Sequence, residues 1–304
     1  MKSTGRRDFI KGSLAIAGLV CYQQMLPFNE FSELFSGKRI RVSGHLWQYA
    51  SRFPPTHDCT PILETIFSDF RYAGIMGVEL MDVLLKNADA EENFNKLSQT
   101  YGVAVTGTSF EAPMWQKGQH EKIVSDFKPV ARKLKNIGGK NVGFSVGYKP
   151  EKKSTSELDA QAAVLQELLE ICDGLGLQPN LHNHTYEVAD NLYELEGTLT
   201  RVENLTLGPD VAHLFRAGID PVDFIHRVGD RICYLHLRDH KADRTWTEAM
   251  GDGVIDFPGI AKALKEVGFS GDAAIELSFE GIPQRPLREN WKLSRDYVRR
   301  VFNW

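Results

Sequence analysis

The four cysteines, Cys21, Cys59, Cys172 and Cys233, show neither the close spacing of a metal knuckle nor a disulfide framework. Nothing staples the chain, so an apolar core must hold it. A basic stripe is missing too: 36 Lys and Arg stand against 40 Asp and Glu, a net charge of -4. Neither a nucleic-acid backbone nor an anionic membrane surface is therefore an expected partner. No run reaches the ~20 apolar residues that cross a bilayer, so no membrane span is expected in the mature chain. No low-complexity linker divides it. What is present, 304 residues with 42% hydrophobic and 25% charged, describes a globular chain with one large core. Small-molecule chemistry is the default.

The first residues differ in character. Gly5-Arg6-Arg7-Asp8-Phe9-Ile10-Lys11 precedes a short, weakly apolar run rich in Gly and Ala, 12–20. It resembles a twin-arginine export signal of the pattern S/T-R-R-x-F-x-K. Residues 1–36 are read as signal and leader, and an exported, periplasmic location follows. An ordinary amphipathic first helix is the plain alternative, since no A-x-A cleavage site is evident. Gly18-Leu19-Val20 is a poor approach to a lipidated Cys21. Twin-arginine export carries folded proteins, often with a metal already inserted.

From 181 to 280 one layout repeats. Short apolar segments each end in side chains that hold metals or move protons: L-H-N-H-T-Y-E (His182, His184, Glu187), L-G-P-D-V-A-H (Asp210, His213), Y-L-H-L-R-D-H (His236, Asp239, His240) and A-I-E-L-S (Glu276). The stretches between them are long enough for a helix and a return loop. A (β/α)8 barrel builds its active site in this way, at the carboxyl ends of its strands.

Followed from residue 37, the alternation gives eight βα units. Strands are expected at 39–44, 77–80, 103–110 (ending near Glu111), 141–146, 178–184, 205–211, 232–238 and 273–278. Helices are expected at 60–73, 90–101, 120–137, 156–174, 192–202, 221–228, 258–267 and 290–302. The fold predicted is α/β, a single (β/α)8 TIM barrel domain over 37–304. Pro209, directly before Asp210, removes a ladder donor and points to a kinked strand tip. Pro54-Pro55 and Gly251-Asp252-Gly253 mark rim loops, the second long enough for a lid.

These residue types suit one chemistry. A cation polarises a carbonyl and acidifies the adjacent C–H, while a nearby carboxylate or imidazole moves the proton. Mixed His and carboxylate donors suit Mn, Fe, Co, Ni or Zn better than Ca. Mn and Co come first, and Mg stays among the candidates.

The D-V-A-H…A-G-I-D-P, Y-L-H-L-R-D-H, G-D-G-V-I-D-F and A-I-E-L-S segments resemble the xylose isomerase-like TIM barrels, also called the sugar phosphate isomerase/epimerase family. The resemblance spans almost all of the mature chain and is strongest after Leu181. It implies a divalent metal held by Asp210, His236, Glu276 and a fourth ligand from the fifth strand. It also implies a substrate whose adjacent hydroxyl and carbonyl oxygens bind that metal.

Many members end the fifth strand in a Glu that shares proton transfer with the last one, whereas here that position is His182. Strand alternation puts His182 and His184 on one face, so one serves as ligand and the other as base or hydroxyl holder. Both assignments stay open. The strand-end position takes His184 as ligand and leaves His182 as the catalytic partner of Glu276. Candidate substrate contacts are His45, Trp47, Glu79, Lys149, His213 and Arg238. Each has a plain reading as well: core filling for Trp47, a salt bridge for Glu79 or Arg238, a helix-start hydrogen bond for His213, an exposed cation for Lys149.

Proton removal beside a ketone gives an enediolate. Reprotonation isomerises or epimerises a sugar, and loss of a group from the next carbon is β-elimination, as on a 3-keto-glycoside. Export disfavours phosphorylated substrates and fits a sugar or keto-sugar supplied by a partner sugar oxidoreductase. A homo-oligomer is compatible with the sequence. A non-catalytic exported sugar-binding protein is the remaining class, and the presence of Asp210, His236 and Glu276 together argues against it.

Overall fold

The computed structural model of the protein describes residues 40–304, so the expected signal at 1–36 and Cys21 lie outside the described residues. Seven strands form one sheet: β1 (Val42–His45), β2 (Gly77–Met81), β3 (Ala104–Glu111), β4 (Asn141–Ser145), β5 (Gln178–Leu181), β6 (Tyr234–Leu237) and β7 (Asp272–Ile275). Their order is β5-β4-β3-β2-β1-β7-β6, and every pairing is parallel. Parallel neighbours need crossovers, which the helices supply. The expected TIM barrel is the fold observed.

The sixth expected strand, 205–211, is only partly a strand. Leu207 bridges Leu181 on one side and Ile232 on the other, and Asp210 bridges His236. Pro209 has no N–H to give, and its carbonyl accepts from the His236 N–H at 3.0 Å. The segment fills the gap between β5 and β6 and nearly closes the barrel, with its ladder broken just before Asp210.

The helices follow from spacing. In the helix Leu63–Ala73, Leu63, Ile66, Phe67, Phe70 and Ala73 share the buried face, and each large side chain stabilises by about 1.5–3 kcal/mol when fully buried. Phe70 lies so close to β1 that a Cβ on Gly44 would stand 2.5 Å from its ring, so this approach requires glycine. In the helix Thr155–Leu175 the Ser154 N–H donates to Glu157 at 2.7 Å, and Gly176 ends the helix in the left-handed region at φ 65°.

Two boundaries differ from expectation and both shape the site. β5 stops at Leu181 rather than 184, because His184 caps the helix Thr185–Leu199 and Glu187 accepts its N–H. That helix begins seven residues before the expected 192 and kinks over Ala189–Leu192, with φ 51°, 57° and 65° at Asp190, Asn191 and Leu192. Short helices Trp47–Ala50, Asp82–Lys86 and Val211–Arg216 also follow strand tips. Cys59 and Cys172 are buried, Cys233 is half-buried, and all three thiols are free.

Candidate active site

A cavity of about 410 Å³ opens at the carboxyl ends of the strands. Of the candidates, His45, Trp47, His182, His184, His213, Arg238 and Glu276 line it. Asp210, His236 and Glu79 lie below, each almost wholly buried. Lys149 is not part of it. The loop after β4 turns this lysine onto Glu157, with Nζ 2.7 and 2.9 Å from the two oxygens.

Asp210 caps the helix Val211–Arg216, where Oδ1 accepts from the Ala212 and His213 N–H groups at 2.9 and 3.0 Å. Its other oxygen, Oδ2, is left to face Arg238 Nη2 at 2.7 Å. Arg238 Nη1 lies 3.2 Å from Glu276 Oε1. Burial, the largest influence, would raise both carboxyls, but Arg238 and the surrounding histidines together outweigh it: Asp210 falls well below the usual range and Glu276 is held at about 2.

Below them, Glu79 Oε2 accepts from the Tyr234 hydroxyl at 2.9 Å and meets His236 Nε2 at 3.0 Å. Burial works against a charged His236, yet Glu79 holds its pKa up at about 9. Glu79, expected as a substrate contact, thus lies beneath His236 and is not among the residues lining the cavity. His182 goes the other way: burial, then the charge of His236, lowers it to about 4 and keeps it neutral. The two rings stack at 3.9 Å between centroids.

Buried atoms without a hydrogen-bond partner gather here, among them His182 Nε2, His236 Nδ1 and Glu276 Oε2. One donor atom from each of His182, His236 and Glu276 lies within 4.8 Å of the others. His182 Nε2 is 3.7 Å from Asp210 Oδ2 and 3.9 Å from Glu276 Oε2, too long for hydrogen bonds. Unsatisfied buried polar atoms cost about 1–3 kcal/mol each, and two imidazoles with two carboxylates are the donor set of a Mn, Co, Ni or Zn site. A metal-bound imidazole is neutral, so an ion here would displace the proton that Glu79 favours on His236. His45, Glu79 and His236 also cluster, but His45 Nδ1 already accepts from the Trp47 N–H at 3.2 Å and its Nε2 meets Ser109 Oγ at 3.3 Å.

His184, the expected ligand, is turned aside by the early end of β5. Its Nδ1 faces Glu187 Oε2 at 3.5 Å; burial, the largest influence, lowers its pKa, but Glu187 and Glu111 together raise it. The ring lines the cavity, stacked 5.1 Å from His182. His213 Nδ1 bonds Thr185 Oγ1 at 2.8 Å, and burial drives its pKa well down.

Among the lining residues that carried no flag in the sequence are Trp246, Ser109 and Glu111. Trp246 packs over the Arg238 guanidinium at 4.3 Å and against His240 at 4.0 Å. It sits in the loop after β6, which has no period to read. Asp239 folds that loop by accepting N–H bonds from His240, Gly251, Gly253 and Ile255 at 2.8, 3.0, 3.0 and 3.4 Å. Ser109 and Glu111 line the cavity from the tip of β3. Their two-residue spacing at a strand end was the available signal. Glu111 is exposed at the cavity mouth, where partial desolvation raises its pKa and His184 pulls it down.

Among known proteins, the chain is similar to an inosose dehydratase of Geobacillus kaustophilus, 25% identical over 239 residues that cover 68% of this chain and 77% of that protein. It is also similar to an inosose isomerase of Bacillus subtilis, 29% identical over 53% of this chain and 62% of that one. The fold matches an L-ribulose 3-epimerase structure with a TM-score of 0.67 and 19% identity, over 87% of this chain and 95% of that one. Residues 67–301 match a family as a whole, and the chain belongs to it: the xylose isomerase-like TIM barrels.

Proposed function

We propose that this chain, a sugar isomerase/epimerase-like enzyme of the barrel family, removes a proton from the carbon beside the carbonyl of a sugar or keto-sugar with the help of a divalent ion. The observation that carries this reading is the set of unpartnered buried donors on His182, His236 and Glu276 next to Asp210. His182, Asp210, His236 and Glu276 would hold the ion. A divalent ion there supplies electrophilic pull on the carbonyl oxygen and so acidifies the neighbouring C–H.

The chain's own residues do the rest. Glu276, kept ionised by Arg238, takes the proton. His184, with Nδ1 3.5 Å from Glu187, is the second proton-transfer group on the cavity wall. Arg238 fixes the two carboxylates, and Trp246 and Trp47 offer apolar faces to sugar C–H groups. Reprotonation gives isomerisation or epimerisation, the kind of change named for the inosose isomerase. β-Elimination is the second outcome, favoured by similarity to the inosose dehydratase. Export through the Arg6-Arg7 signal belongs to the same proposal, and fractionation of cells making the tagged full chain tests it.

The deciding experiment follows a 3-keto-glucoside in deuterated water by NMR, with Mn2+ added and then chelated. Exchange at the carbon beside the ketone that depends on Mn2+ is expected. Absence of exchange with Mn2+ bound would overturn the enolising reading.

A further inference from the structure

β3 carries a carboxylate that proton removal leaves unused. At eight residues it is the longest strand described, and Gly107 pairs with Glu79. Its last residue, Glu111, thus stands four positions, roughly 13 Å of extended chain, past the level of Glu79. Ser109 turns inward to meet His45 at 3.3 Å, and alternation gives Glu111 the same face. Of the three other carboxylates lining the cavity, Asp82 is engaged with Lys86 at 2.6 Å and Glu276 with Arg238 at 3.2 Å, while Glu280 lies on the irregular segment after β7 rather than on a strand tip. The side chain of Glu111 has no hydrogen bond or ion pair among the described residues. It is an uncommitted acid at the outer end of the same cavity, away from the ion-holding cluster.

We propose that Glu111 is the general acid that protonates a departing oxygen, so that the cavity serves a sugar ketone bearing a leaving group one carbon beyond the acidic C–H. This rests on the enolising reading above. The base takes the C–H proton. The electron pair released becomes a C=C bond to the next carbon as its C–O bond breaks, and the departing oxygen keeps that bond's pair and takes the proton of Glu111. The products are an enone and water or an alcohol, with no net oxidation or reduction. Glu111 regains its proton from solvent.

The test uses the whole protein with Mn2+ and two substrates, methyl and p-nitrophenyl 3-keto-glucoside. In Glu111→Gln, methanol release is expected to fall about 100-fold or more, while p-nitrophenolate, which leaves without a proton, is released within about fivefold of the parent rate. Deuterium exchange beside the ketone persists, and Glu111→Asp recovers part of the methanol release. Glu280→Gln, which removes another rim carboxylate, changes neither rate. Equal losses on both substrates, unchanged methanol release, or exchange without release of either alcohol would overturn the assignment. A parent protein that shows no exchange at all would overturn the enolising reading itself, and the two failures are thereby distinct.

Discussion

Arg238 joins Asp210 and Glu276 with one guanidinium, Nη2 at 2.7 Å from the first and Nη1 at 3.2 Å from the second, and so links the segments on either side of β6. Removing one partner of a buried ionic group costs about 3–5 kcal/mol. Arg238→Met should therefore lower the melting temperature markedly in EDTA, and Mn2+ should restore part of the loss by replacing the missing positive charge. Arg238→Lys should fall between, since an ammonium cannot span both carboxylates. Thermal unfolding of the three proteins with and without Mn2+ decides this, and an unchanged melting temperature for Arg238→Met would remove the bridge from the account of stability.

The two histidines of the H-N-H segment should separate by calorimetry. His182→Ala is expected to weaken Mn2+ binding by at least about 100-fold, while His184→Ala stays within about threefold, because Nδ1 of His184 is directed to Glu187. The opposite pattern would return the fourth ligand to the strand-end position.

Asp239 is the hub of the loop after β6, with four N–H groups converging on its carboxylate. Asp239→Ala leaves those donors unpaired, at about 1–3 kcal/mol for each that stays buried. The loop should become the first site of tryptic cleavage and KM should rise as Trp246 loses its place over Arg238. A cleavage pattern identical to the parent's would show that packing alone holds the loop.

Glu194 sets a pH dependence away from the site. Burial pushes its carboxyl up to about 7 although Lys153 Nζ lies 2.5 Å away and pulls the other way. A raised folded pKa means the folded chain holds a proton that the unfolded chain has already lost. The contribution is full below about 4.5 and disappears as pH rises through about 7. At about 1.4 kcal/mol per pH unit, its upper bound is roughly 3 kcal/mol. Urea unfolding at pH 5 and pH 8 should show a smaller pH difference for Glu194→Gln than for the parent, and equal differences would refute the raised pKa.

Much of the barrel could be read from the sequence because its strands are buried on both faces and its helices on one. Apolar runs capped by ligand-type residues, alternating with i, i+3, i+4 patterns such as Leu63, Ile66, Phe67 and Phe70, carry that information locally. Asp210, His236 and Glu276 converge because each follows its own strand tip. The roles of His182 and His184 could not be read, since alternation holds only while the strand lasts, and β5 ends at Leu181. Glu79 depends on register, which slips between Val78 and Glu79 against β3. Lys149 and Trp246 depend on loops whose course is set by distant partners, Glu157 for one and Asp239 for the other.

The broken ladder at Pro209 gives the wall uneven compliance. Continuous pairing runs from β5 round to β6, while the stretch that carries Asp210 is tied by isolated bridges at Leu207 and at Asp210 itself. Asp210 is held there mainly through its side chain, by the Ala212 and His213 N–H groups and by Arg238. In the proposed ion site Asp210 would thus stand on the least continuously paired segment, with His236 and Glu276 on β6 and just past β7.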